Sequence, residues 1–222
     1  AIGFKDVYTP GGSVPKCGDI FRQLRLASTL EQIGRAGTED FYRGDLAQAI
    51  SADLAEVGSP VHGADLTAHQ AKAVTPLSLR VGDATVYNMR PPTQGLASLL
   101  ILGVFAKMKC AQADGFDFVH LLVEASKQAF AIRDQYVTDE AYMSAPPESF
   151  LTDEVVAKLA AGIDPQKASD WKRGGTDSDT IWMGTMDRHG NSVSFIQSVY
   201  WEFGSGVVLP KTGITWQNRG AS

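Results

Sequence analysis

The stretch "GGTDSDTIWMGTMDRHGNSVSFIQSVYWEFGSGVV", from Gly174 to Val208, decides how this chain folds. Its first residues are small and polar, with no apolar period. At Thr180 the pattern changes. Ile181, Met183 and Thr185 alternate with Trp182, Gly184 and Met186, and Val193, Phe195 and Gln197 alternate with Ser192, Ser194, Ile196 and Ser198. A period of two predicts a pair of strands. Between them, Asp187-Arg188-His189-Gly190-Asn191 reads as a hairpin turn, with Gly190 where a positive φ is expected. Further strands are expected after Gly204-Ser205-Gly206 and from Ile214. Upstream, residues 164–179 read as an exposed, mobile loop. A breakable loop thus ends on a threonine at the head of a strand.

Before this loop the chain reads as mostly helical. Leu24, Leu26, Ala27, Leu30 and Ile33 recur at helical spacing and predict a helix over 20–33, capped by Asp19 and ended by Gly34 and Gly37. Thr38 opens a second helix with Phe41, Leu46, Ala49, Ile50 and Leu54 on its inner face, and Gly58-Ser59-Pro60 turns the chain after it. Residues 74–89 alternate and predict two short strands joined near Gly82-Asp83. Helices follow over about 95–109, 116–136 and 153–161, the first two with broad apolar faces that call for deep burial. Helices first and strands last indicate layered α+β packing.

Composition bounds the function. The chain has 222 residues, 44% hydrophobic and 20% charged, with a net charge of −5. That describes a soluble globular domain with enough apolar residues for a core. The acidic balance and the lack of a Lys/Arg run argue against a nucleic-acid partner. No apolar run is long enough to span a membrane, and nothing resembles a signal peptide. Cys17 and Cys110 match no metal or redox spacing and read as two free thiols or one disulfide, which leaves the compartment open. The four histidines have no ligand spacing, so neither a metal nor another cofactor is expected. Gly174-Gly175 lacks the residues of a phosphate loop. The opening "AIGFKDVYTPGGSVP" has no initiator Met, as expected of a fragment or a processed piece.

The loop–strand junction suggests a chemistry. Were the bond between Asp179 and Thr180 cut, Thr180 would carry a hydroxyl and a free α-amine. An α-amine titrates near 8, against about 10 for lysine, so part of it is neutral at pH 7 and can take the hydroxyl proton. One residue then supplies both nucleophile and base. The same hydroxyl can make the cut by attacking the Asp179 carbonyl. β-propensity alone also accounts for a Thr at a strand start, and periodicity does not decide between the two.

The order of several pieces does discriminate. Gly18-Asp19, "LASTLEQIGRAGTEDFYRGDLAQAI" (26–50), "VTPLSLRVGDATVYNMRPPTQG" (74–95), "AFAIRDQYVTD" (129–139), the Thr180 strand pair, Asp187-x-x-Gly190-Asn191 and Phe203-Gly204-x-Gly206 follow one another. In this arrangement the chain resembles the γ-glutamyltransferase (γ-glutamyltranspeptidase) family of N-terminal-nucleophile hydrolases, over nearly its whole length. The resemblance implies the αββα four-layer sandwich of that class, here in part, as a fragment of a larger protein. Residues 1–179 would be the end of the large-subunit region, closing in the processing loop. Residues 180–222 would be the start of the small-subunit region, carrying the nucleophile.

The resemblance also implies roles. Thr180 is the nucleophile, and Asp179–Thr180 the cleavage site. Ser198 falls where the family has a second hydroxyl that tunes the nucleophile. Tyr200 stands where the family has an Asn on the glutamyl group, and Ser222 where it has an Asp that pairs with the substrate α-amine. Both departures remove groups suited to a γ-glutamyl substrate, and Trp182 and Met183 replace a more polar strand start. An ammonium buried without its carboxylate is costly. The substrate pocket therefore looks rebuilt, nearer the family's acylase and oxamate amidohydrolase-like branch. Arg219 is a candidate carboxylate binder, with a solvated surface Arg as the alternative. Glu202 reads as an exposed strand-end carboxylate more readily than as a general acid. The Arg90-Pro91-Pro92-Thr93 turn reads as structural.

The expectation is thus a self-processing amide hydrolase or acyltransferase working through a Thr180 acyl-enzyme on a small-molecule amide. A true γ-glutamyl transferase or glutathione hydrolase is the alternative within the family, and a non-catalytic binding module the alternative outside it. By resemblance, an Arg for the substrate carboxylate lies before the position of Ala1, and a Gly pair forming the oxyanion hole after Ser222. An oxyanion donor is worth roughly a hundredfold or more in rate, so these 222 residues alone are expected to be poorly active or inactive. The remaining segments of the parent protein are then partners, and a homo-oligomer is left open.

Overall fold

The computed structural model describes residues 1–171 and 180–221. They form two compact units, residues 1–71 with 180–221, and residues 72–171.

The first unit opens with α1 (Phe4–Tyr8), α2 (Leu24–Ala36), α3 (Glu39–Arg43), α4 (Asp45–Glu56) and α5 (Gly63–Ala68). Helix α2 starts four residues later than expected. The Asp19 carboxylate accepts the Lys16 N–H at 2.8 Å, closing a turn upstream instead of capping the helix. The helix also runs through Gly34 and ends only before Gly37, whose N–H reaches the Ile33 carbonyl at 2.9 Å. The single helix expected from Thr38 is two, because Gly44 takes an extended conformation between α3 and α4. Within α4, Leu46, Ile50 and Leu54 are buried, and their spacing of four places them on one face. Phe41 packs on that cluster. Helices α1 and α5, with five and six residues, are too short to show a period in the sequence.

The second unit holds β1 (Leu77–Val81), β2 (Ala84–Asn88), α6 (Gly95–Lys107), α7 (Phe116–Tyr136) and α8 (Asp153–Ala161). The strands pair antiparallel about Gly82-Asp83, as expected. α6 ends two residues early; α7 and α8 have the expected bounds. The Thr152 hydroxyl caps α8 by accepting the Val155 N–H at 3.4 Å. Leu77, Leu96, Leu100, Val104, Leu121 and Val156 make the core. α7 is less buried than its composition suggested, with Phe116 and Val119 exposed.

Its buried Glu124 is 1% exposed. The carboxylate accepts Lys127 Nζ at 2.6 Å, the Ser169 hydroxyl at 2.5 Å and the Ser169 N–H at 3.2 Å. Burial pushes its pKa up; the bonds from Lys127 and Ser169, with the Lys127 charge, outweigh that and hold it below the ordinary glutamate range. Nearby in sequence to β2, Arg90 forks onto Glu140 and also pairs with Glu148, tying the 90–93 turn to that segment.

The first unit is completed by β3 (Ile181–Met186) and β4 (Ser192–Gln197), an antiparallel hairpin exposed on both faces. The strands expected after Gly206 and from Ile214 reduce to a single bridge, Val208–Thr215. The cause is side-chain anchoring. Leu209 is buried with the α4 cluster, and Asp53 takes both the backbone N–H and Nζ of Lys211 at 2.8 Å. The Thr29 hydroxyl reaches the Thr212 carbonyl at 2.8 Å. The segment that follows the hairpin is thereby bolted to α2 and α4.

Cys17 and Cys110 are free thiols. Among the described residues no helix is long and apolar enough to cross a membrane.

Candidate active site

The hairpin register brings the two hydroxyls together. Ile181 pairs with Gln197 and Met186 with Ser192, so each pair of numbers has the same sum. One step beyond the strands, that register sets Thr180 opposite Ser198. Thr180 lies immediately ahead of β3, not within it as expected, and Ser198 immediately after β4. Thr180 Oγ1 donates to Ser198 Oγ at 2.9 Å, across 18 residues of sequence.

The register itself is set at the far end of the hairpin. The Asp187 carboxylate accepts the N–H of His189 at 2.8 Å and, from Asn191, the N–H at 3.0 Å and Nδ2 at 2.9 Å. The Asn191 side chain first, then the His189 N–H, holds the Asp187 pKa below the usual carboxylate range. Gly190 has φ +83°, as the turn requires. A slip by one residue would send every side chain of the strand to the opposite face. Further along, Trp182 donates its indole N–H to Ser194 Oγ at 2.9 Å and lies over Gly184, where a Cβ would come within 2.7 Å of the ring. The Trp182 position thus depends on a glycine two residues on.

Beyond Ser198 the chain turns sharply. Tyr200 has φ +83°, a left-handed backbone that costs a non-glycine residue roughly 1–2 kcal/mol. Its N–H donates to Ser198 Oγ at 2.9 Å, so this oxygen receives both Thr180 and Tyr200. Two neighbours in sequence clamp the turn. The Asn218 N–H donates to the Val199 carbonyl and Asn218 Oδ1 accepts the Trp201 N–H, both at 3.2 Å. Arg219 Nη2 reaches the Ser198 carbonyl at 3.4 Å, with its guanidinium 5.9 Å from the Tyr200 ring centre. Around Thr180 opens a cavity of about 320 Å³ lined by Gln197, Ser198, Trp201 and Glu202. Glu202 is exposed on its rim.

Four of the residues expected from sequence therefore meet: Thr180, Ser198, Tyr200 and Arg219. Asp179 and Ser222 lie outside the described residues, as do residues 172–178 of the expected loop. Asn218 was not anticipated. Its contacts reach 17 residues back along the chain, and no local pattern signals them. Chemically, the cluster offers a hydroxyl with an oriented hydrogen-bond acceptor, a cation on the Ser198 carbonyl and an open approach.

The chain belongs to the gamma-glutamyltranspeptidase family, whose sequence pattern matches residues 2–222. It is 47% identical over 220 residues to an oxamate amidohydrolase proenzyme of Klebsiella pneumoniae, covering 99% of this chain and 42% of that protein. It is 38% identical over 218 residues to a glutathione hydrolase-like proenzyme of Bacillus subtilis, covering 97% and 41%. In structure it is similar to a cephalosporin acylase from Bacillus halodurans, with a TM-score of 0.87 and 36% identity over 98% of this chain and 40% of that one. The fold is α+β and of the N-terminal-nucleophile hydrolase class. The chain spans about two fifths of the length of these relatives.

Proposed function

We propose that the full-length protein carrying this chain is a self-processing amide hydrolase or acyltransferase that works through an ester on Thr180. The observation that carries this reading is the 2.9 Å bond from the Thr180 hydroxyl to Ser198, at the open end of the β3–β4 hairpin. The word proenzyme in the names of both curated relatives agrees with it.

In processing, Thr180 Oγ1 attacks the carbonyl carbon of Asp179. The C–O bond forms, the Asp179–Thr180 C–N bond breaks, and the hydroxyl proton ends on the departing nitrogen. Water then opens the ester, leaving a carboxyl on Asp179 and a free α-amine on Thr180. In turnover the neutral α-amine takes the hydroxyl proton as Oγ1 attacks the substrate amide, and gives it to the leaving amine. Ser198 orients the hydroxyl. Tyr200, Arg219 and Ser222 form the substrate side, with Arg219 binding a carboxylate. Residues 1–179 close the large subunit and 180–222 open the small one. Oxamate-like or glutaryl-like amides are the substrate class, since the relative at 47% identity is named an oxamate amidohydrolase.

The test is the new N-terminus. Purified full-length protein should yield a subunit beginning Thr-Ile-Trp-Met-Gly, and Thr180→Ala should stay as one uncut chain. A different start, or a cut Thr180→Ala protein, defeats the assignment.

A further inference from the structure

The strained turn after β4 is held by a residue that belongs to none of the roles above. Asn218 grips it on both sides of Tyr200, through its N–H on the Val199 carbonyl and its Oδ1 on the Trp201 N–H, each at 3.2 Å. A backbone N–H can only donate, so the side-chain atom facing Trp201 is the oxygen. Tyr200, between these two bonds, has φ +83°, which an unclamped tyrosine leaves for an ordinary conformation. In the clamped form the Tyr200 N–H points to Ser198 Oγ at 2.9 Å. That bond fixes where the Ser198 oxygen stands, and the same oxygen receives the Thr180 hydroxyl at 2.9 Å. A chain of contacts therefore runs from Asn218 through the Tyr200 backbone to Ser198 and Thr180. Asn218 is itself half-buried, and its hydrogen bonds among the described residues go to the turn, not to Thr180.

We propose that Asn218 is a positioning residue, which keeps the Val199–Trp201 turn in its left-handed form and through it aims the Ser198 hydroxyl at Thr180. The inference rests on the reading of Thr180 as the nucleophile. It goes beyond that reading in assigning to Asn218 the upkeep of a strained backbone. The strain is what makes the role necessary: a glycine at position 200 would adopt φ +83° without a clamp.

That contrast supplies the test, made on the full-length protein. Self-cleavage is the readout, because it needs an aimed Thr180 hydroxyl and no bound substrate. Asn218→Ala removes the Oδ1 acceptor and should slow self-cleavage on the order of ten- to a hundredfold, the loss typical of a misplaced reacting group. Asn218→Asp keeps an oxygen acceptor and should stay within about threefold of the native rate. Tyr200→Gly added to Asn218→Ala should recover most of the lost rate, which a loss of general stability would not allow. Hydrogen exchange at the Tyr200 and Trp201 amides gives a second measure, expected to be faster by about tenfold or more in Asn218→Ala. Native cleavage by Asn218→Ala overturns the proposal, as does failure of the glycine to restore it. If the unaltered protein does not cut at Thr180, the self-processing reading falls. The exchange measurement then still judges the clamp, and equal exchange in both proteins overturns it.

Discussion

Thr180 and Ser198 face each other across the open end of a hairpin, joined by a 2.9 Å hydroxyl–hydroxyl bond in which Thr180 is the donor. A donor so held has its proton directed away from the lone pairs that attack. Ser198 also accepts the Tyr200 N–H, so it serves the Thr180 hydroxyl and the turn together. Ser198→Ala should therefore slow self-cleavage and turnover by roughly ten- to a hundredfold, whereas Ser198→Thr, which keeps the hydroxyl, should retain most of both. Half-lives of the precursor and kcat of the processed protein check this. An unimpaired Ser198→Ala would show that Thr180 is aimed by other contacts.

Asp187 lies at the opposite end of the same hairpin and acts on Thr180 only through register. Its carboxylate accepts three bonds from His189 and Asn191. Asp187→Ala should loosen the turn and reduce self-cleavage, with Asp187→Asn less impaired, since it retains one acceptor oxygen. The sign with pH follows from its depressed pKa. Turn stability is present above the ordinary Asp range, near 3.9, and is lost as pH falls through the lower folded value. Amide exchange at residues 187–192, followed as pH falls below 4, gives the readout.

Glu124 makes a corresponding prediction for the second unit. Removing its buried carboxylate takes the charge partner from Lys127, which among the described residues keeps only neutral partners such as the Ser169 carbonyl, and the acceptor from the Ser169 hydroxyl. Glu124→Ala should destabilise that unit by about 3 kcal/mol, near the lower end for breaking a buried pair. Because its folded pKa is lowered, Glu124 contributes stability above the ordinary Glu value of about 4.3, and this is lost as pH falls through the folded value. Glu124→Gln should be less stable than the native protein at pH 7 and converge with it in acid. Urea unfolding at several pH values decides the matter. Parallel curves would assign the carboxylate no net role.

Much of this was legible before the structure, and the failures have local causes. The hairpin could be read because a period of two, a Gly at the turn and Asp187 agree, and agreement across levels is what specifies a fold. Helices α7 and α8 have the bounds expected from their sequence. Asp19 misled because an Asp can close a turn as readily as it caps a helix, and here it takes the Lys16 N–H. The strands expected after Gly206 lost to Asp53, Thr29 and the α4 core, which hold residues 209–212 by side-chain contacts that no strand pattern contains. In the site, the family resemblance singled out Thr180 and Ser198, and the hairpin pattern made their meeting readable. Asn218 and the left-handed Tyr200 were not, since a tyrosine at positive φ contradicts its own propensity and only the folded turn reveals it.

The last prediction concerns what the processed protein accepts. A γ-glutamyl substrate brings an ammonium group, and Tyr200 offers no carboxylate or amide to it, nor does Ser222 by its residue type. A charge buried against bound substrate without its partner costs on the order of 3 kcal/mol, a hundredfold or more in specificity. An acyl group with a carboxylate and no α-amine, such as glutaryl, should then be preferred, its carboxylate drawn to Arg219. The measurement is kcat/KM for matched glutaryl and γ-glutamyl anilides on the processed full-length protein. Among the described residues, the rim of the Thr180 cavity supplies a rival in Glu202, an exposed carboxylate in its lining. A γ-glutamyl preference of about tenfold or more, some 1.4 kcal/mol, would mean that an ammonium partner exists. If Glu202→Gln then erased the preference, Glu202 would be that partner and the acylase reading would give way to a transferase of the glutathione type.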